Sequence, residues 1–178
     1  QTNEAVFWHT YCSIFGESAK SDEAVLEKFY RTRYIELRAM CSAHPDLDPF
    51  IKGLKAKGIK LAVATNPLFP LFVQEERISW TGADPRDFDR ITCYENSHYS
   101  KPNPDYYAEI LEALDVQPET TLMIGNDVLE DMDTAAKIGI PGFLVTDLLL
   151  NPEEKDISAL PQGNFDAMRS FVEQLTEM

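Results

Sequence analysis

Three short polar segments carry residue types that together suit phosphoryl transfer: Thr65-Asn66, Lys101-Pro102, and Gly125-Asn126-Asp127 with Asp131 four residues on. A threonine hydroxyl and backbone N–H groups can hold phosphate oxygens. A lysine sets a point positive charge against a phosphoryl group and its transition state. Asp127 and Asp131 stand at i and i+4, on one face of a helix start. Two neighbouring carboxylates repel unless a cation lies between them, and hard oxygen donors of this kind suit Mg²⁺. Phosphoryl transfer uses these parts together: a metal ion, a cationic side chain and donors around the equatorial oxygens. Each segment also has a plainer use. Thr65-Asn66-Pro67 suits a turn, Lys101 a solvated surface, and the two aspartates the positive end of a helix. The shared placement of all three, each after an apolar run, favours the chemical reading.

Those runs belong to an alternation of helix and strand. Phe7, Tyr11, Ile14 and Phe15 repeat at helical spacing until Gly16. A second, longer helix from Ser21 or Asp22 carries Leu26, Phe29, Tyr30, Leu37 and Met40, and ends at Ala43-His44-Pro45. After it, Leu47, Phe50, Ile51 and Leu54 mark a helix stopped by Gly58, and residues 61–64 read as a strand buried on both sides. A helix follows Pro70 and ends near Gly82, and residues 91–94 read as the next strand. Asn103 caps a helix with Pro104 in first position and Tyr107, Ile110, Leu111 and Leu114 on its buried face. Residues 122–124 are a strand, a helix runs through Ala135-Ala136 to Gly139, and residues 143–145 are a strand. Met168, Phe171, Val172 and Leu175 mark a last helix. The pattern predicts a Rossmann-like, doubly wound parallel α/β sheet that binds ligands beyond the carboxyl ends of its strands. A helical appendage over residues 1–44 precedes an α/β core over residues 45–178.

Composition narrows the function. The 178 residues suit one substantial domain with a small appendage, and 44% hydrophobic and 26% charged residues are ordinary for a globular protein. A net charge of −14 with no basic stripe argues against nucleic acid. It leaves room for an anionic ligand wherever a lysine, backbone N–H groups or a metal offsets the field locally. Cys12, Cys41 and Cys93 have no metal-ligand spacing and suit a reducing compartment, hence a cytoplasmic location. No apolar run reaches the roughly 18 residues of a membrane span. His9, His44 and His98 share no ligand spacing, and nothing in the sequence sets an oligomeric state.

The order of the three polar segments resembles motifs II, III and IV of the haloacid dehalogenase superfamily. Motif II is Leu61-Ala62-Val63-Ala64-Thr65-Asn66, and motif III is Ser100-Lys101-Pro102-Asn103-Pro104. Motif IV is Met123-Ile124-Gly125-Asn126-Asp127, followed by Asp131, Ala135 and Gly139-Ile140. The likeness covers about residues 45 to 147, and residues 1–44 resemble part of a C1-type cap. It implies a Mg²⁺-dependent phosphohydrolase acting on a small phosphorylated metabolite through an aspartyl-phosphate. Thr65 and Lys101 would be catalytic, with Thr65, Asn66 and Lys101 around the phosphate. Asp127 would hold the metal, Asn126 would assist, and Asp131 would either reach the metal through water or hold Lys101.

Two departures stand out. Asn126 occupies a position where many relatives have an acid. The family's motif I, Asp-x-Asp-x-Thr, supplies the nucleophile and the sheet's central strand, and it does not occur in this sequence. Asp46-Leu47-Asp48 opens a helix, and Asp131-Met132-Asp133 belongs to motif IV. The expectation is that this segment is missing, that the chain alone is inactive, and that a hydrophobic slot with unpaired backbone groups marks the place. A non-catalytic module binding a phosphometabolite or a protein is the rival reading. A phosphomutase or phosphonate hydrolase on the same core is another.

Overall fold

Gly16, at φ +91°, takes a backbone conformation that side chains disfavour and closes the first helix, α1 (Asn3–Phe15). Thr2 opens that helix by accepting the Ala5 N–H. The computed structural model describes residues 1–177. Its chain divides into two units, Gln1–His98 and Tyr99–Met178.

In the first unit, α2 (Asp22–Thr32) is shorter than the helical spacing predicts. Residues Tyr34–Met40 tighten into a 3₁₀ turn instead of continuing it. The Thr32 hydroxyl donates to the Lys28 carbonyl at 2.7 Å, a back-bond that bends helices. Tyr34 then packs its ring against Phe69 and Trp80, with centroids 5.6 and 5.8 Å away. Tertiary packing of one aromatic has overridden helical periodicity. Ser21 does not cap α2; its hydroxyl donates to Ser18.

After α3 (Leu47–Ala56) and Gly58 come β1 (Ala62–Val63), α4 (Leu71–Trp80) and β2 (Arg90–Ile91). The two strands pair in parallel, Ala62 with Arg90 and Val63 with Ile91. Both are shorter than expected, and side chains add to the backbone bonds at each end. Asp89 accepts the Leu61 N–H at 2.8 Å before the strands begin. Thr92 bonds the backbone of Val63 and Thr65 after they end. Burial of β1 on both sides is not seen: Ala62 and Val63 are half-buried, and β1 pairs with β2 alone among the described residues. Ile78, Ala83 and Ile91 form a core here, with Leu47, Val63 and Phe88 against it.

In the second unit, α5 (Asp105–Leu114) begins one residue later than expected, with the Asn103 side chain accepting the Asp105 N–H at 2.9 Å. Tyr106, Tyr107, Ile110 and Leu111 are its buried face. The strand β3 (Met123–Gly125) leads into a π-helical turn (Val128–Asp133), α6 (Thr134–Ala136) and β4 (Gly142–Val145). A short β5 (Gln162–Gly163) precedes α7 (Phe165–Glu177). The three strands pair in parallel in the order β3-β4-β5, which puts β3 at an edge with Ile124 36% exposed. Val128, Met132 and Leu144 form the core beneath them. Parallel pairing with helices between β1, β2, β3 and β4 is the expected Rossmann-like α/β arrangement, preceded by helices. No helix among the described residues is long and apolar enough to cross a membrane.

Candidate active site

The second unit brings Lys101, Asn126, Asp127 and Asp131 together. Asp127 follows β3 and caps the π-helical turn, its Oδ1 accepting the N–H groups of Leu129 at 2.9 Å and Glu130 at 2.8 Å. Asp131 folds back toward the strand. Its Oδ2 accepts the N–H groups of Asn126 at 3.0 Å and Asp127 at 3.1 Å. Its Oδ1 accepts Lys101 Nζ at 2.6 Å. Both side chains of this ion pair are buried, 9% and 6% exposed. Burying two charges is costly, and such a pair persists only where further hydrogen bonds compensate it. The two backbone N–H groups on Asp131 do so.

Three neighbours fix the pair. Gly125 has no side chain for a steric reason: a Cβ there would overlap the Asp131 carboxylate. Tyr107, 3% exposed, donates its hydroxyl to the Glu130 carbonyl at 3.1 Å. Burial, and after it the Asp131 charge, push the pKa of that hydroxyl well above its ordinary value, so it stays protonated. The fully buried Thr134 hydroxyl bonds Leu129 O at 2.8 Å and lies 3.3 Å from Pro102 O, tying the Lys101 loop to the turn. Of these, the sequence placed Gly125 in the polar segment after β3 and Tyr107 only on the buried face of α5, and it did not single out Thr134. A tyrosine one turn into a helix that starts just after the lysine was the available signal.

The arrangement fits part of a Mg²⁺ site. Among the described residues no three His, Cys, Asp or Glu side chains converge to hold a metal. Asp131 has both oxygens engaged, and Asp127 has one, leaving Asp127 Oδ2 without a hydrogen-bond donor among the described residues. The Asn126 amide nitrogen donates to Leu148 O, which leaves its oxygen as a second hard donor. Two oxygens occupy only part of an octahedral set.

Thr65 and Asn66 lie in the first unit, just beyond β1. The buried Thr92 hydroxyl donates to Thr65 O at 2.6 Å and accepts the Thr65 N–H at 3.1 Å, fixing that residue from both sides. The Leu68 N–H donates to Asn66 O at 2.9 Å, so the segment does form a turn. A further Asp-x-Asp, Asp87-Phe88-Asp89, is structural. Asp89 takes Lys55 on both oxygens at 2.7 and 2.8 Å, and that contact holds its carboxyl below the usual carboxylate range. Asp48, in the Asp-x-Asp that opens α3, pairs with Lys52.

A sequence model of haloacid dehalogenase-like hydrolases matches residues 6–139. The chain belongs to the haloacid dehalogenase-like hydrolase family. Among curated members it is 27% identical over 119 residues to glyceraldehyde 3-phosphate phosphatase of Methanothermobacter thermautotrophicus, covering 67% of this chain and 51% of that protein. It is 30% identical over 117 residues to haloacid dehalogenase-like hydrolase domain-containing protein 3 of Bos taurus, covering 65% and 44%. The chain thus spans about half the length of the curated relatives it matches. Solved structures with the same fold include CbbY of Rhodobacter sphaeroides in complex with phosphate, at TM-score 0.57 and 24% identity, over 74% of this chain and 58% of that one. Another is the haloacid dehalogenase-type hydrolase YfnB of Bacillus subtilis bound to magnesium, at TM-score 0.57 and 19% identity, over 76% and 56%.

Proposed function

We propose that this haloacid dehalogenase-like chain carries the lysine and acidic machinery of a Mg²⁺-dependent phosphohydrolase that acts on a small phosphorylated metabolite in the cytoplasm. The buried Lys101–Asp131 pair, with Asp127 at the mouth of the same turn, is the observation that carries the reading. The phosphatase among the curated relatives, the phosphate in CbbY and the magnesium in YfnB support it.

Each residue has a role in this reading. Asp131 fixes the Lys101 ammonium, whose charge compensates the phosphoryl oxygens in the transition state. Thr65 and the backbone of Asn66 orient those oxygens, held in place by Thr92. Asp127 Oδ2, assisted by the Asn126 amide oxygen, holds the metal. When bound, Mg²⁺ supplies charge neutralisation at the phosphoryl group. The nucleophilic aspartate comes from residues outside this sequence, which contains no Asp-x-Asp-x-Thr. Its oxygen bonds to phosphorus as the bond to the alcohol breaks, and water then releases phosphate and restores the carboxylate. Residues 1–44 belong to a cap over a core formed by residues 45–178, and the cap selects the substrate.

The test is phosphate release by the whole natural protein from a panel of small phosphate esters, with Mg²⁺ and with a chelator. At least one ester should be hydrolysed, and the chelator should stop the reaction. Failure on every ester would leave the non-catalytic reading in its place.

A further inference from the structure

The unit Gln1–His98 contains a cavity of about 330 Å³ that the phosphoryl chemistry does not use. That volume sits at the lower end of small-molecule sites, about 300–1,000 Å³. Trp8 from α1, Tyr30 from α2, Phe72 from α4 and Tyr94 after β2 supply aromatic walls. Glu4 and Glu95 supply charge, with Glu23 and Glu27 on the α2 side. Among the described residues no Lys, Arg or His lines it.

The charges are unevenly compensated. Glu23 pairs with Lys20 and Glu27 with Arg31. Glu95 caps α4 by accepting the Leu71 N–H on both oxygens. Glu4 has no basic partner among the described residues. The Tyr94 hydroxyl registers the resulting field: its pKa is pushed up to about 12, by burial first and then by Glu4, Glu95 and Glu23. Two of the rings already meet cations of this chain, with Lys20 Nζ 4.2 Å from the Trp8 centroid and Arg31 4.1 Å from that of Phe72. A cation over an aromatic face is attracted by the ring quadrupole. Among the described residues the buried Trp8 indole N–H meets no acceptor at hydrogen-bond geometry, although the Tyr94 hydroxyl is near enough to feel it.

Pro67 and Leu68 also line the cavity, and they follow Asn66 directly. We propose that this cavity binds an organic cation, an amine or quaternary ammonium that also carries a hydroxyl group. Resting on the phosphatase reading above, this cation is the alcohol half of the phosphate ester. The rings of Tyr30 and Tyr94 and the Glu4 carboxylate hold the cationic end, and the ester oxygen points toward the Thr65-Asn66 turn. The glutamates repel esters that carry a second, carboxylate group.

Calorimetric titration of the whole protein with choline, beside its uncharged isostere 3,3-dimethylbutan-1-ol, tests the cavity alone. Choline should bind saturably and at least about tenfold more tightly than the isostere, a difference of about 1.4 kcal/mol. Glu4→Gln, which keeps the side-chain shape, should remove most of that preference. Absence of saturable choline binding, or equal affinity for the neutral alcohol, overturns the proposal. Hydrolysis of phosphate esters without choline binding would sink the cavity inference and leave the phosphatase reading intact. Charge-selective choline binding with no ester hydrolysed would do the reverse.

Discussion

Asp131→Ala should lower the unfolding free energy by about 3–5 kcal/mol, the cost of leaving one member of a buried ion pair without its partner. Lys101 has its side chain only 9% exposed and would lose the carboxylate that lies 2.6 Å from its ammonium. The N–H groups of Asn126 and Asp127, which converge on Asp131 Oδ2, would lose their acceptor as well. An orphaned buried donor costs about 1–3 kcal/mol, so the three losses overlap within the same total. Urea unfolding reads this directly. The midpoint should fall by about 1–5 M at an unchanged slope, given a slope of about 1–3 kcal/mol per molar. A loss under about 1 kcal/mol would mean that solvent reaches the pair and that Asp131 does not position the lysine.

Lys101→Ala should lower kcat for the best phosphate ester by about 10²- to 10³-fold, the usual consequence of removing one preorganised transition-state donor. Its charge is useful because it is fixed before the reaction: the ammonium sits 2.6 Å from Asp131 Oδ1, and Tyr107 and Thr134 brace the surrounding turn. The variant also leaves Asp131 unpaired, so kcat has to be compared at a temperature where circular dichroism shows both proteins folded. Lys101→Arg should not rescue the rate, since a planar guanidinium does not fit a pocket shaped for one ammonium. Undiminished kcat in folded Lys101→Ala would remove lysine from the mechanism.

The sequence pattern located the elements better than their ends. Helical spacing identified α1, α3, α5 and α7; in α3 and α5 the spaced residues Ile51, Leu54, Tyr107, Ile110 and Leu111 are buried, whereas in α1 Phe7, Ile14 and Phe15 stay exposed and Trp8 and Cys12 are buried instead. It overran α2, since Leu37 and Met40 continue the spacing although Thr32 and Tyr34 end the helix. Residues 91–94 have the composition of a strand, yet β2 stops at Ile91; the Thr92 N–H still donates to Val63 O at 3.1 Å, and its hydroxyl adds bonds to Val63 O and Thr65 O. The short β5 has no apolar run to announce it, and only pairing with β4 makes Gln162–Gly163 a strand. The site was legible as a set of residues and not as a division of labour. Spacing of i to i+4 allows Asp127 and Asp131 to share a metal or to work apart. A π-helical turn separates them, turning Asp131 inward to the lysine while Asp127 remains at the cap. Nor could spacing show that Gly125 leaves room for that inward turn.

That division of labour is the central claim, and Mg²⁺ titration of phosphate release by Asp127→Asn and Asp131→Asn tests it most directly. Asp127→Asn should stay folded and need at least about tenfold more Mg²⁺ for half-maximal rate, a loss typical of a weakened metal ligand set. Asp131→Asn should be less stable and slower while its Mg²⁺ requirement hardly moves. The reverse pattern, with Asp131→Asn shifting the Mg²⁺ requirement and Asp127→Asn leaving it unchanged, would contradict the account.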